Sequence, residues 1–148
     1  MQILDLTIDV TEAARLGEPA HIAMTVHLPA PEHLGPSPVV CFAKPGGGYS
    51  RHYYTVDLPG PARGAQAEWH AQRGWIFVSV DHLGVGDSST GHDGNRLDFT
   101  TCAAAAEAAE AELLRRLAAG DLADGFPAVS DPLRLCEFRC LILRRICG

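Results

Sequence analysis

The sequence predicts an α/β fold, in which a mixed, mostly parallel sheet of about four strands is covered by two main helices. Two short apolar runs, at 39–43 and 75–81, are typical of strands covered on both faces. A helical pattern ending at Gly74 lies between them, at 62–73. This strand–helix–strand order implies a parallel pair joined by a right-handed crossover.

Two further strands are predicted ahead of this unit. Residues 2–10 alternate weakly and indicate an edge strand, and the proline-rich stretch 29–38 indicates a surface connection. Residues 21–28 alternate with a period of two, which predicts a half-buried strand that pairs antiparallel with its neighbour. Its apolar face carries Ile22, Met24, Val26 and Leu28, and its opposite face carries His21, Ala23, Thr25 and His27.

The alanine- and glutamate-rich segment after residue 99 predicts a long helix. Thr100 or Thr101 is the expected N-cap, and Gly120 marks the expected end. We interpret this helix as an element that covers the sheet, since nothing in it indicates a cofactor, and the prediction for the whole chain is that it uses none.

Composition excludes several classes of function. The chain has 148 residues, suited to one domain, with 47% apolar residues and a net charge of −6. Its one lysine and acidic balance argue against nucleic acid as a partner, because phosphate recognition needs clustered basic residues. No apolar run of about 20 residues is present to span a membrane, and the acidic N-terminus is unlike a signal peptide. A cytoplasmic location is therefore expected.

The last 17 residues differ in composition from the rest. Residues 1–131 carry 8 Lys/Arg and 17 Asp/Glu, whereas residues 132–148 carry 4 Arg, 1 Glu and three of the five cysteines. We therefore divide the chain into a partial domain at 1–131 and an atypical basic tail at 132–148. Such a shift is typical of a change of reading frame or an alternative exon, and a genuine basic tail is the alternative.

The cysteines predict no metal site. Cys136, Cys140 and Cys147 have a spacing that a metal ion could use, but the segment lacks a convincing fourth ligand. An odd number of cysteines without an export signal also argues against a disulfide framework.

Two glycine-containing loops resemble those of the α/β-hydrolase family. Lys44–Tyr49 (KPGGGY) follows the strand at 39–43 and resembles the oxyanion loop after the third strand, where many esterases carry His-Gly-Gly-Gly. Asp81–Ser89 (DHLGVGDSS) follows the next strand of the parallel pair and resembles the D-x-x-G-x-G-x-S loop of the family. The resemblance covers roughly residues 1–131. Lys44-Pro45 is a departure from the commoner His-Gly, and it leaves the donor position uncertain by one residue.

The resemblance implies a hydrolase that acts on a small-molecule ester or acyl compound. Backbone N–H groups of the first loop would stabilise the negative charge that develops on the substrate oxygen. The residues implied for this loop are Gly46, Gly47, Gly48 and Tyr49. Ser50, Arg51 and Tyr53 are the implied lining of a substrate entrance. The alternative interpretation is a glycine-rich turn with exposed polar residues.

The nucleophile of the family is missing from this sequence. No serine has glycine both two residues before and two residues after it, so no G-x-S-x-G elbow occurs. We expect Asp81 and Ser88 to satisfy local backbone groups, since adjacency to His82 does not supply triad geometry. The resemblance implies that serine, acid and histidine all follow the break at residue 131. We therefore identify no catalytic residue and expect a truncated chain that is inactive by itself.

The same resemblance places the strand at 39–43 between the fourth and fifth strands of the family's sheet. Without a proper fifth strand its edge is expected to be open, which favours binding of a protein partner or self-association. A non-catalytic protein-binding module is the alternative function. A nucleotide-binding domain is a third interpretation, but the near match Gly84-x-Gly86-x-x-Ser89 stands about ten residues before the next helix.

Overall fold

A computed structural model describes residues 1–57, 59–60 and 64–138, the last three as backbone only. Five strands form one sheet: β1 (Gln2–Asp9), β2 (His21–Leu28), β3 (Val39–Lys44), β4 (Ile76–Val80) and β5 (Leu133–Phe138). Three α-helices accompany them: α1 (Thr11–Ala14), α2 (Gln66–Ala71) and α3 (Phe99–Ala119). The predicted α/β class is confirmed, but the sheet has five strands rather than four, and a short third helix is added.

The strands lie in the order β1-β2-β4-β3-β5. β1 pairs antiparallel with β2, and β2 pairs antiparallel with β4. β3 runs parallel to β4 on one side and to β5 on the other. The predicted parallel pair and the predicted antiparallel edge pair are thus both present.

The prediction that one edge of β3 is open is wrong, because β5 pairs with that edge. β5 begins at Leu133, whose backbone N–H donates to the carbonyl of Pro38 over 2.9 Å, and it pairs with β3 as far as the register pair Lys44 and Phe138. The strand includes the first residues of the segment 132–148, of which 139–148 lie outside the described residues. Among the described residues, β5 is therefore the outermost strand on this side of the sheet.

The main core lies between the sheet and α3. Apolar side chains of β2, β3 and β4 on this face contact one side of the helix, at Ala105, Ala109, Leu113 and Leu117. Gly120 ends the helix as predicted, with a φ of +75° at the C-cap. The predicted N-cap was wrong: Asp98, not Thr100 or Thr101, holds that position, and its carboxylate accepts from the Thr101 N–H over 2.8 Å.

A smaller core covers the opposite face of the sheet. Tyr54, from a 3₁₀ turn at Arg51–Tyr54, and Ala67 of α2 pack there against Cys41, Ala43 and Phe77. Because of this cover, β2 is buried on both faces rather than half-buried. The helix predicted at 62–73 is shorter, Gln66–Ala71, and positions 62 and 63 lie outside the described residues.

Candidate functional site

Two loops meet at the carboxyl ends of the parallel strands. We name residues 45–50, after β3, the first loop, and residues 81–89, after β4, the second loop. In open α/β sheets, ligands bind outside this end of the strands. The two loops therefore form the candidate functional site.

The first loop is held at its base by two carbonyl groups. The Tyr54 hydroxyl donates to the carbonyl of Lys44 over 2.9 Å. Nε2 of His82 lies 2.8 Å from the carbonyl of Pro45, and because a carbonyl only accepts, this nitrogen carries the proton. The His82 ring thus joins the second loop to the first.

The tip of the first loop is a β-turn. The Tyr49 N–H donates to the Gly46 carbonyl over 3.0 Å, and Gly48 has a φ of +91°, which glycine adopts without strain. The Tyr49 amide is therefore engaged within the turn. Gly47 and Gly48 are exposed, and within the part of the chain that the structure describes their N–H groups have no hydrogen-bond partner. Of the predicted donors, the Tyr49 amide is therefore excluded, and the exposed amides of Gly47 and Gly48 are open to a ligand.

The residues predicted to line an entrance take different positions. Tyr49 and Tyr53 are 62% and 46% exposed, and their rings meet edge to face with centroids 5.9 Å apart. Ser50 is half-buried and precedes the 3₁₀ turn as its N-cap. Arg51 is only 6% exposed, so its side chain lies inside the protein rather than at its surface.

Arg51 connects both loops to the sheet. Its backbone N–H and its Nη1 each contact the Asp81 carboxylate over 2.5 Å, and Nη1 lies 2.8 Å from Asp87. Its Nε donates to the Thr25 hydroxyl over 3.0 Å, and that hydroxyl donates to Asp5 over 2.6 Å. Burial lowers the Arg51 pKa, but the hydrogen bonds to Asp87 and Asp81 outweigh it and raise the pKa above its ordinary value. The guanidinium is therefore a fixed positive charge beneath the first loop.

Sequence reasoning missed this network. Asp5, Thr25 and Asp87 lie on three different elements, and no local motif connects any of them with Arg51. A local sign of this network was Thr25, because it is a polar residue in β2, a strand that is buried on both faces.

The second loop is built around the Asp81 carboxylate. Asp81 is fully buried and also accepts from the Asp87 N–H over 2.9 Å. The Ser88 hydroxyl accepts from the Ala23 N–H over 3.0 Å and donates to the Asp81 carbonyl over 3.2 Å. These bonds confirm that Asp81 and Ser88 satisfy backbone groups.

One serine–histidine contact occurs in this region. The Ser89 Oγ lies 2.9 Å from Nδ1 of His21, and Nε2 of His21 lies 2.9 Å from the carbonyl of Asp87. However, Ser89 Oγ also accepts from the His21 N–H over 2.9 Å, and the Ser89 N–H donates to the His21 carbonyl. A triad would place a carboxylate on the far side of the histidine, where a backbone carbonyl stands here. The contact fastens the loop to the start of β2.

No cluster of three or more His, Cys, Asp or Glu residues suited to a metal ion occurs among residues 1–57, 59–60 and 64–138. Cys140 and Cys147 lie outside those residues, and the side chain of Cys136 is not described. Over the same residues, no helix is long and apolar enough to cross a membrane.

Comparison with known proteins gives no assignment. Neither the models of known protein families nor the curated proteins contain a match to this chain.

Proposed function

We propose that this chain represents the N-terminal part of an α/β-hydrolase-type domain of the serine ester or acyl hydrolase lineage. It would supply an oxyanion loop for a small-molecule ester or acyl compound, but no nucleophile, and would therefore be inactive by itself. A cytoplasmic location fits this proposal.

The observation that carries the proposal is the arrangement of the first loop. It follows β3, and β3 lies between β4 and β5, the position that the resemblance implies for the strand before the oxyanion loop. Two exposed amides, those of Gly47 and Gly48, remain available at its tip. Donors fixed in advance stabilise a developing oxyanion because they need no reorganisation during the reaction. The buried contacts of Arg51 and the partly buried contact of His82 fix the loop in this way.

The surroundings of the serines support the proposed inactivity. Ser88 is buried, and its hydroxyl both accepts and donates a hydrogen bond; Ser89 donates to His21, which has no carboxylate partner among the described residues. The sequence contains no G-x-S-x-G at which another nucleophile would stand.

The first test is nucleotide sequencing of the gene and its transcript, from the codons for residues 125–148 onward, with all three frames translated. We expect another frame to resume with a G-x-S-x-G shortly after the codon for Leu135. If no frame contains such an elbow, the lineage is wrong.

The second test addresses inactivity. The full chain is incubated with a fluorophosphonate probe and with p-nitrophenyl esters of short acids. We expect neither covalent labelling nor hydrolysis above the level of the Ser89→Ala variant. Labelling that disappears in this variant would contradict the proposal and identify Ser89 as a nucleophile.

A non-catalytic binding module is the second candidate. It is favoured by β5, where Leu133 and Leu135 are 60% and 44% exposed at the edge of the sheet. Exposed apolar residues on an edge strand are typical of sites of strand pairing.

A further inference from the structure

The strand β5 differs in burial from β3, the strand with which it pairs. β3 is buried almost throughout, whereas Leu133, Arg134 and Leu135 of β5 are all exposed. Because exposed side chains remove little apolar surface from water, Leu133, Arg134 and Leu135 are held mainly by the backbone ladder with β3.

One ion pair adds to that ladder. Nη2 of Arg134 lies 3.3 Å from Oε2 of Glu110 on α3, and the Arg134 side chain is 52% exposed. Glu110 is buried and also forms an ion pair with Lys44, at the end of β3. A half-exposed ion pair contributes little to stability, so the tie to Arg134 is weak, whereas Lys44 and Glu110 stay together in the core.

A short hinge connects β5 to the rest of the chain. Before the hinge, Val129 is buried, and its N–H donates to the Leu117 carbonyl over 2.9 Å. Ser130, Asp131 and Pro132 then lead to β5, and the first two are exposed. Straightened, these three residues span about 10 Å, so β5 can leave β3 while Val129 keeps its hydrogen bond to Leu117.

We infer that the β3 edge accepts β5 from a second copy of this chain, and that two copies exchange these strands reciprocally. The incoming strand would form the same ladder with β3 and would place its arginine beside Glu110. A second copy is the partner that fits, because this edge already matches that strand in register and charge. Such exchange requires no contact absent from the monomer, and short hinges favour it. The inference does not depend on the proposed function.

The test uses two full-length preparations. One carries the photoreactive p-benzoylphenylalanine in place of Leu133, the register partner of Val39, and the other is unmodified and nitrogen-15-labelled. After they are mixed, incubated at high concentration and irradiated, cross-linked peptides are analysed by mass spectrometry. We expect a product joining position 133 of the unlabelled chain to residues 39–44 of the labelled chain, together with a dimer on size-exclusion chromatography.

Two charge variants test the role of the ion pair. Arg134→Gln in both preparations removes the tie to Glu110 in both monomer and dimer, but it lowers the cost of opening, so the mixed product should form about two- to fivefold faster. Arg115→Gln is the matched control, because Arg115 is exposed on α3 and its ion pair within the described residues is with Glu112, not with β5. It should leave the rate unchanged.

Three results would overturn the inference. The mixed product could be absent although the cross-link within one chain forms efficiently. It could join position 133 to β1 or to another β5, which would indicate stacking of sheet edges. Equal rates of product formation for Arg134→Gln and Arg115→Gln would contradict release of β5 from Glu110 as the step that precedes exchange.

Discussion

Gly86 lies directly against the carboxylate of Asp81: a Cβ atom placed on Gly86 would stand 2.2 Å from Oδ2 of Asp81. The φ of Gly86 is +59°, a left-handed conformation. The second loop therefore closes around the buried carboxylate only because this position has no side chain. Since Asp81 also binds Arg51, the same contact helps to fix the first loop.

Replacement of this glycine should destabilise the protein. For Gly86→Ala we expect a loss of about 2–4 kcal/mol in the free energy of unfolding, since left-handed strain and a clash with Asp81 add together. Urea unfolding followed by circular dichroism measures the change.

Gly125→Ala is the matched control for that substitution. Gly125 has a φ of +74°, but a Cβ atom there would meet nothing within 4 Å. Gly125→Ala should therefore lower the free energy of unfolding by the backbone strain alone, about 1 kcal/mol. If the two variants lose equal stability, the contact with Asp81 is unimportant.

Removal of the Arg51 guanidinium should be more costly than removal of a surface arginine. Arg51→Met leaves the buried Asp81 carboxylate without its cation, and a loss of about 3 kcal/mol is expected in urea unfolding. Arg51→Lys should restore only part of this, because one ammonium group cannot reach Thr25, Asp81 and Asp87 together. Arg115→Met, on the surface of α3, should stay close to the wild type. Comparable losses in Arg51→Met and Arg115→Met would contradict the account of this network.

His27 should make the protein less stable in mild acid. Burial holds the pKa of His27 below its ordinary value of 6.5, and Nδ1 has no hydrogen-bond partner within the described part of the chain. Between the folded pKa and pH 6.5, His27 therefore binds a proton in the unfolded chain but not in the folded chain. The stability is complete above pH 6.5 and falls as the pH drops through 6.5 towards the folded pKa, by at most about 1.4 kcal/mol per pH unit.

The measurement is urea unfolding between pH 7.5 and pH 5 for the wild type and for His27→Leu, at pH values spaced about evenly. The variant should show a flatter dependence on pH. An unchanged slope would mean that another group causes the loss.

The Asp98 cap should support α3. Asp98→Ala removes the acceptor for the Thr101 N–H and should lower the Tm by a few degrees. Thr100→Ala is the control, and it should have a smaller effect because the Thr100 side chain is exposed and does not hold the cap position. A larger effect at Thr100 than at Asp98 would contradict the assignment of the cap.

Much of the fold was predictable because its signals are local. The apolar runs of β3 and β4, the alternation of β2 and the glycine at the end of α3 each report on a few neighbouring residues. The burial of His27 and Thr25 was not predictable in this way. Their cover comes from α2 and Arg51, which lie more than 20 residues further along the chain.

The site was predictable only in outline. The glycines of the first loop do form a turn at the carboxyl end of β3. The position of Arg51 was missed because its partners Asp81 and Asp87 are 30 or more residues away, and because a long charged side chain after a glycine loop is usually exposed. The hydrogen bond of the Tyr49 amide within the turn was not predicted, because the sequence alone does not show which amide of the loop closes the turn.

The buried pair of Lys44 and Glu110 has a practical consequence for labelling. Lys44 is the only lysine in the sequence, and it is 5% exposed. Reagents that acylate amines should therefore react with Lys44 only slowly while the protein is folded. The rate of that acylation would report how often the interior opens to solvent.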